Sequence, residues 1–331
     1  MNAQKGWPKR RLDELTESAR PITYGVVKPG DHDDLNGVRF IRGGDIAEGK
    51  INIANLRTIT SEVSAGYKRT LLRGGEIVVS LVGNPGEAAV VPASLAGANI
   101  ARQAGLVALR DDVDPRYVMY FLRSPGGRAE LFAQTTGSVQ QVINLANLKN
   151  IRVPLPDLST QRKIAGILSA YDDLIENNLC RIKILEEMAQ SLYREWFVHF
   201  RFPGHESAKF VDAPLGQIPK GWNVKPLFDV ATVKYGKMLP KKDLAESGPF
   251  PVYGAAKVIG RHTSFTREDR TIICGCRGSV GEMQITEPRC FVTNNSFTFD
   301  PVSANIYFWL FYTLSERALS RTPKIGPGAK L

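Results

Sequence analysis

Few residues in this chain are spaced to make or break bonds. Cys274 and Cys276 are separated by one residue, with Cys290 and His262 not far along the chain. That pair spacing is not the one a standard zinc finger uses, and the apolar neighbours favour buried thiols. Asp34, Glu48 and Lys50 imitate the carboxylates and lysine of a nuclease, but such residues recur by chance. There is no Gly-x-x-x-x-Gly-Lys phosphate loop, so no ATP motor is indicated. The sequence therefore assigns this chain no catalytic residue, no metal and no cofactor of its own.

The residues suited to reading nucleic acid are better supplied. An Arg fork pairs with guanine O6/N7, and an Asn or Gln amide with adenine N6/N7. Such side chains work when a rigid turn holds them, and several here adjoin glycines. Tyr24-Gly25 and Tyr235-Gly236 occur at similar distances into two similar segments. Arg42-Gly43-Gly44-Asp45 follows a β-rich run, and Asn84, Arg102 and Gln103 follow related turns. Arg277, Asn294 and Asn295 occupy the corresponding later region. Asn84-Pro85 and Asn99 also fit plain turn or capping roles. Phosphate contacts add affinity without sequence information. Arg39, Arg42, Arg57, Lys68, Arg69, Arg73 and Arg102 are candidates early in the chain, and Lys234, Lys237, Lys241, Lys242, Lys257, Arg261 and Arg277 late in it. Any one of them fits a solvated surface equally well; their grouping carries the reading.

The elements that must position these residues are visible in the patterning. The 331 residues are 43% hydrophobic and 23% charged, enough to bury cores and suited to two domains. The net charge of +10 is uneven. There are 20 basic and 15 acidic residues before position 156, 5 and 7 from 156 to 200, and 18 and 11 after that. Two basic blocks thus flank a slightly acidic segment, which suits a polyanion partner. Four unevenly spaced cysteines do not make a disulfide scaffold, so a reducing cytoplasm is expected. The amino terminus lacks a signal-peptide run, and no 18-residue apolar stretch predicts a membrane span.

The acidic segment carries the clearest element. Ile164, Leu168, Tyr171, Ile175, Asn178, Ile182, Leu185, Ala189, Leu192 and Trp196 alternate spacings of four and three. This heptad seam predicts a helix over 157–200, roughly 50 Å long, that wants a helical partner. Asp157 or Ser159-Thr160 caps its start, and Pro203-Gly204 stops it. Asn178 within the seam can fix register. On either side, short β-rich runs (38–41, 76–82, 106–109, 271–273, 296–299) are punctuated by glycine, and helices are expected at 115–133 and 304–319. Tyr117, Tyr120, Phe121 and Leu131 fall on the buried side of the first.

The flanks repeat each other in order. Trp7, Leu12 and Leu15 match Trp222, Leu227 and Val230 at an offset of 215. Ile77, Gly83, Gly86 and Asn99 match Ile272, Gly278, Gly281 and Asn294 at 195, and Arg128-Ala129 and Gly137 match Arg317-Ala318 and Gly326 at 189. The falling offset predicts shorter loops in the second copy. The fold expected is mixed α/β (α+β), with two similar domains separated by a long coiled-coil-type helix.

Over nearly its whole length the chain resembles the DNA-specificity (S) subunit of type I restriction–modification systems. The resemblance is carried by Gly137-Ser138, by Leu148 through Pro156, by Gln161-Arg162-Lys163-Ile164-Ala165, by the helix from Leu168 to Phe197, and by the restart Leu215-Gly216-Gln217-Ile218-Pro219-Lys220-Gly221-Trp222. It implies a first target-recognition domain over 1–155, a conserved helical spacer over 156–204 and a second recognition domain over 205–331. Each domain would read half of a split double-stranded DNA site. The spacer would set the gap and dock two methyltransferase (M) subunits, and a restriction/translocase (R) subunit would join them. S-adenosylmethionine, ATP and magnesium would belong to those partners. An Asn-Pro-Pro-aromatic motif, expected of the methyltransferase, is not what Asn84-Pro85-Gly86 spells. Ser138, Gln140 and Gln141 either touch the DNA backbone or clamp the stem, with packing slightly favoured.

The sequence reaches Leu331 soon after Gly326, before any counterpart of the long helix. The seam is then expected to find its partner in a second chain, a homodimer included, unless the sequence is truncated. The competing function class is a helical protein-interaction scaffold without DNA sequence recognition.

Overall fold

The computed structural model describes residues 6–30, 37–133 and 142–321, with side chains as far as Glu316. The chain parts into two compact units, Met1–Asn178 and Leu179–Leu331, and the division falls inside one long helix. The fold is mixed α+β.

In the first unit, strands β1 (Thr23–Tyr24), β2 (Val38–Ile41), β3 (Arg57–Ile59), β4 (Ile77–Ser80), β5 (Ala88–Val90), β6 (Asn99–Ile100) and β7 (Ala104–Val107) make two sheets. One has the order β1-β7-β4-β5 and is antiparallel throughout; the other has the order β3-β2-β6, with β2 and β6 parallel. The alternation of a strand places Ile77 and Val79 on one face of β4 and Val78 on the other. Ile77 and Val79 join Leu12, Leu15, Leu122 and Leu131 in one core, while Val78 joins Ile41, Ile100 and Leu106 in a second. Both faces of β4 are covered, so this run is continuously apolar rather than alternating. Each fully buried side chain of this size contributes roughly 1.5–3 kcal/mol.

Helices α1 (Pro115–Arg123) and α2 (Pro125–Phe132) cover the first core. The sequence predicts one helix over 115–133; Ser124 divides it, because Pro125 cannot continue the ladder and the Ser124 hydroxyl caps a new start at Gly127. Tyr117 and Leu131 are buried as expected, whereas Tyr120 and Phe121 are only half-buried.

The second unit repeats this plan. Strands β8 (Ala231–Tyr235), β9 (Phe250–Gly254), β10 (Lys257–His262), β11 (Ile272–Gly275), β12 (Met283–Ile285), β13 (Phe291–Val292) and β14 (Ser296–Pro301) form sheets of order β8-β14-β11-β12 and β10-β9-β13. The parallel pair recurs at β9/β13. Ile272 and Ile273 again face different cores. A turn at Ala304–Ile306 leads into helix α4, Tyr307–Arg321, where the sequence places a helix from 304.

Long helix α3 runs from Leu158 to Tyr193, about 54 Å at 1.5 Å per residue. Asp157 is its cap: its carboxylate accepts from the Thr160 backbone N–H at 3.0 Å and from the Thr160 hydroxyl at 2.7 Å. The helix does not continue to 200 as expected. It loosens into a π-turn at Arg194–Val198, and Phe200 and Gly204 turn to positive φ.

Candidate nucleic-acid interface

Four segments of the first unit meet at one turn. The Arg102 backbone N–H donates to the Val26 carbonyl (2.9 Å), and the Leu81 N–H to the Gln103 carbonyl (2.8 Å). Ala101 donates to Ile41 (2.8 Å), and Ala104 closes the turn onto Ala101 (3.0 Å). The approach is so close that a Cβ at Gly25 would lie 1.8 Å from the Ile100 carbonyl oxygen, so only glycine fits there. Gly43 is equally confined, 2.1 Å from the Val82 oxygen. Tyr24, Arg42, Asn84, Arg102 and Gln103 are thus brought to one end of the lobe by strand pairing.

The second unit builds the same turn. Asn294 N–H donates to the Lys237 carbonyl (3.1 Å), Cys276 N–H to Asn295 (2.9 Å), Thr293 to Tyr253 (2.9 Å) and Ser296 to Thr293 (3.1 Å). A Cβ at Gly236 would meet the Thr293 oxygen at 2.3 Å. The loops Gly83–Gly86 and Gly278–Gly281 also correspond, with all four glycines at positive φ. Gly86 donates to Ser80 (2.9 Å) as Gly281 does to Gly275 (3.0 Å). Tyr235, Lys237, Arg277, Asn294 and Asn295 therefore share one end of the second lobe. Lys234 lies beside them on β8, and Lys257 on β10 pairs with Glu282 just after the loop (3.4 Å).

One sequence match is out of register. Asn294 does not correspond to Asn99. By strand pairing Asn99 corresponds to Phe291, and Asn294 to Arg102, an offset of 192. Asn99 is fully buried: its amide oxygen accepts from the Thr70 hydroxyl (2.7 Å) and the Ile100 N–H (2.9 Å). Its role is structural, and sequence offers no signal for the three-residue shortening that shifts the register. The 215 and 195 offsets hold elsewhere, since Arg110 donates to Leu15 as Val302 does to Val230, and Ile77 and Ile272 occupy the same strand position. Gly137 and Gly326 of the third match lie outside the described residues, as do the side chains of Arg317 and Ala318, and Ser138, Gln140 and Gln141.

The other candidates differ in how free they are. Arg42 is committed: Nε and Nη2 hold Asp45 at 3.0 and 2.8 Å, and this hydrogen-bonded pairing raises the guanidinium further above its ordinary value. Asn84 serves its turn, its carbonyl accepting from the Glu87 N–H (3.2 Å). Lys68 and Arg69 are exposed on a short turn anchored by the Thr70–Asn99 bond. Arg57 and Arg102 line a cavity of about 250 Å³ with an apolar floor of Val26, Phe40, Ile59 and Ala101. Neither guanidinium has a hydrogen-bond or ion-pair partner among the described residues.

Along α3 the seam is mostly uncovered. Ile164 packs on the first core, and Gln161, fully buried, ties the helix start to the α1 cap by accepting from the Asp114 N–H (2.9 Å). Further on, Tyr120 donates to Asp172 at 2.7 Å, and burial with that bond pushes the phenol above its ordinary pKa. Leu168, Tyr171, Ile175, Ile182, Leu185 and Leu192 are each between 39% and 63% exposed, and Asn178 is exposed too. Ala189 is half-buried; Trp196 is half-buried in the π-turn beyond the helix end.

Lys50 is paired with Glu176, the Glu48 N–H donates to Glu87 (3.0 Å), and Asp34 lies outside the described residues. Among the described residues no three His, Cys, Asp or Glu side chains are grouped to hold a metal. Burial pushes the Cys274 and Cys290 thiols up, away from the thiolate form a metal needs. No helix among the described residues is long and apolar enough to cross a membrane.

A family model described as the type I restriction modification DNA specificity domain matches residues 4–187 and again 219–326. The specificity subunit of the type I restriction enzyme EcoBI of Escherichia coli is 33% identical over 189 residues, 55% of this chain and 40% of that protein. The MjaIX specificity subunit of Methanocaldococcus jannaschii is 33% identical over 135 residues, 41% of this chain and 31% of that protein. The chain thus matches less than half the length of either relative. The crystal structure of a type I restriction-modification S subunit from M. genitalium shares the fold, with a TM-score of 0.52 at 20% identity over 97% of this chain and 82% of that one.

Proposed function

The chain belongs to the type I restriction–modification DNA specificity family, and from that membership we propose that it is the sequence-reading subunit of such an enzyme, directing adenine methylation and restriction performed by its partners. One observation carries the reading: both lobes present the same glycine-held turn, bearing an exposed fork at Arg102 in the first and a half-buried amide at Asn294 in the second, each suited to a base edge. Each lobe reads one half of a split duplex target. Helix α3, which joins them in the chain, sets the gap between the halves.

The exposed apolar face of α3 supports a docking role. A face of this length costs free energy in water unless another helix covers it. We assign it to the methyltransferase subunits or a second copy of this chain, with the restriction subunit joining that assembly. S-adenosylmethionine, ATP and magnesium are then held by the partners, in the cytoplasm.

Binding of the purified chain to random duplex DNA across a salt series tests the reading. A DNA reader loses affinity steeply, with a log–log slope of about −0.9 per neutralised phosphate. A flat, weak response would leave the helix as the functional part and favour a protein-interaction scaffold.

A further inference from the structure

The two lobes share a backbone frame but not its side chains, and the substitutions fall at the reading turn. Strand pairing aligns Arg42 with Gly254, Arg57 with Gly260 and Arg102 with Asn294. Every guanidinium at this end of the first lobe is therefore absent from the second. At Gly260 the space is closed as well: a Cβ there would meet Leu244 Cδ1 at 2.7 Å and the Ala245 oxygen at 2.9 Å. The first lobe offers an open cavity rimmed by Arg42, Arg57 and Arg102, and the second, whose cations Lys237 and Arg277 stand at other frame positions, has that space closed at Gly260.

We propose that Arg102 and Asn294 are the specificity-determining pair, one per lobe, and that Arg102 reads a guanine in one half-site while Asn294 reads an adenine in the other. This rests on the DNA-reading function proposed above. Three features single out this position. Its backbone is fixed by the same hydrogen bonds in both lobes, so the side chain starts from a rigid base. The residue just before it is buried in each case, Ala101 and Thr293, which anchors the turn from beneath. Arg102 is exposed and without a partner among the described residues, unlike Arg42, whose fork Asp45 already occupies. A free fork presents two parallel donors, which guanine O6/N7 accepts; an amide presents one donor and one acceptor, which adenine N6/N7 matches.

The test is a selection from randomised duplex DNA with the full chain, wild type and R102N, followed by binding to the selected duplex carrying 7-deazaguanine. Wild type is expected to enrich a guanine in one half-site, and R102N to lose it there while leaving the other half unchanged. Removing guanine N7 is expected to weaken wild type about 5- to 150-fold, the range of one bidentate contact, and R102N hardly at all. The reciprocal N294R is expected to exchange adenine for guanine in the other half only. If both variants enrich the wild-type sequence, Arg102 and Asn294 are not the readers, while the DNA-reading function stands. If wild type enriches no sequence, that function fails and this assignment with it.

Discussion

The two lobes solve one geometric problem with different interior chemistry. Where β4 begins in the first lobe, Glu76 is buried against Arg20 at 2.7 Å, and its carboxylate also accepts from the Arg73 N–H (2.8 Å). At the same frame position the second lobe has Thr271, which accepts from Arg267 Nε at 2.9 Å. The backbone bonds are shared, since Val91 donates to Glu76 as Thr286 does to Thr271. A buried ion pair thus sits where the other lobe has a buried hydroxyl, whose arginine partner Arg267 is paired instead with Asp300. Likewise Asn99 with its Thr70 bond stands where the second lobe has Phe291, whose ring lies tilted against His262 with centroids 5.3 Å apart. The frame is set by backbone pairing and glycine contacts, and the side chains vary upon it. A reader of varied targets needs that separation.

The largest effect should come from breaking the buried pair. Glu76→Ala leaves Arg20 uncompensated in a site where it is 7% exposed, at a cost of about 3–5 kcal/mol, whereas Thr271→Ala should cost about 1–3 kcal/mol. Chemical denaturation of the two variants compares them, and equal losses would show that the lobes do not differ as described. Next, Gly25→Ala and Gly236→Ala should each cost roughly 1–3 kcal/mol, because both force apart the same strand crossing. If only one proves costly, the shared frame is weaker than the pairing suggests.

Acid should also distinguish the lobes. Burial pushes the Glu76 carboxyl up, but the Arg20 guanidinium and the Arg73 N–H prevail and hold it below its ordinary value. A lowered folded-state value means that its stabilisation is full above about pH 4.5 and is lost as pH falls through the lowered value. Thermal melts between pH 6 and 3 should show this loss, and Glu76→Gln should remove that part of it. The smallest effect is expected at Arg57. If it meets phosphate, Arg57→Gln should weaken all duplexes alike and reduce the salt slope by about one unit.

Much of this was legible in the residues. The heptad spacing marked α3 because its apolar residues keep to one stripe of the helix, and short β-rich runs marked β2, β4 and β14, whose ends glycines or turns punctuate. The glycines at 25 and 236 stood out beside tyrosines, although only the structure shows the carbonyls that forbid a Cβ there. The Asn99–Asn294 match failed because chemical likeness hid a shortened loop: the second lobe runs from Thr286 to Phe291 where the first runs from Val91 to Asn99. The break at Ser124 and the π-turn after Tyr193 are local hydrogen-bonding choices that periodicity does not record. Within the site, residue type identified Arg42 and Arg102 alike, and only geometry shows that Asp45 occupies one of them.

The central claim is that two lobes on one frame read two separate pieces of a duplex. The most direct measurement is the gap between conserved base pairs in sequences that the full chain selects, compared before and after inserting one helical turn following Asn178. Two short conserved runs with a fixed gap, changed in length by the insertion, are the predicted result. A single uninterrupted run, or a gap indifferent to the insertion, would contradict it.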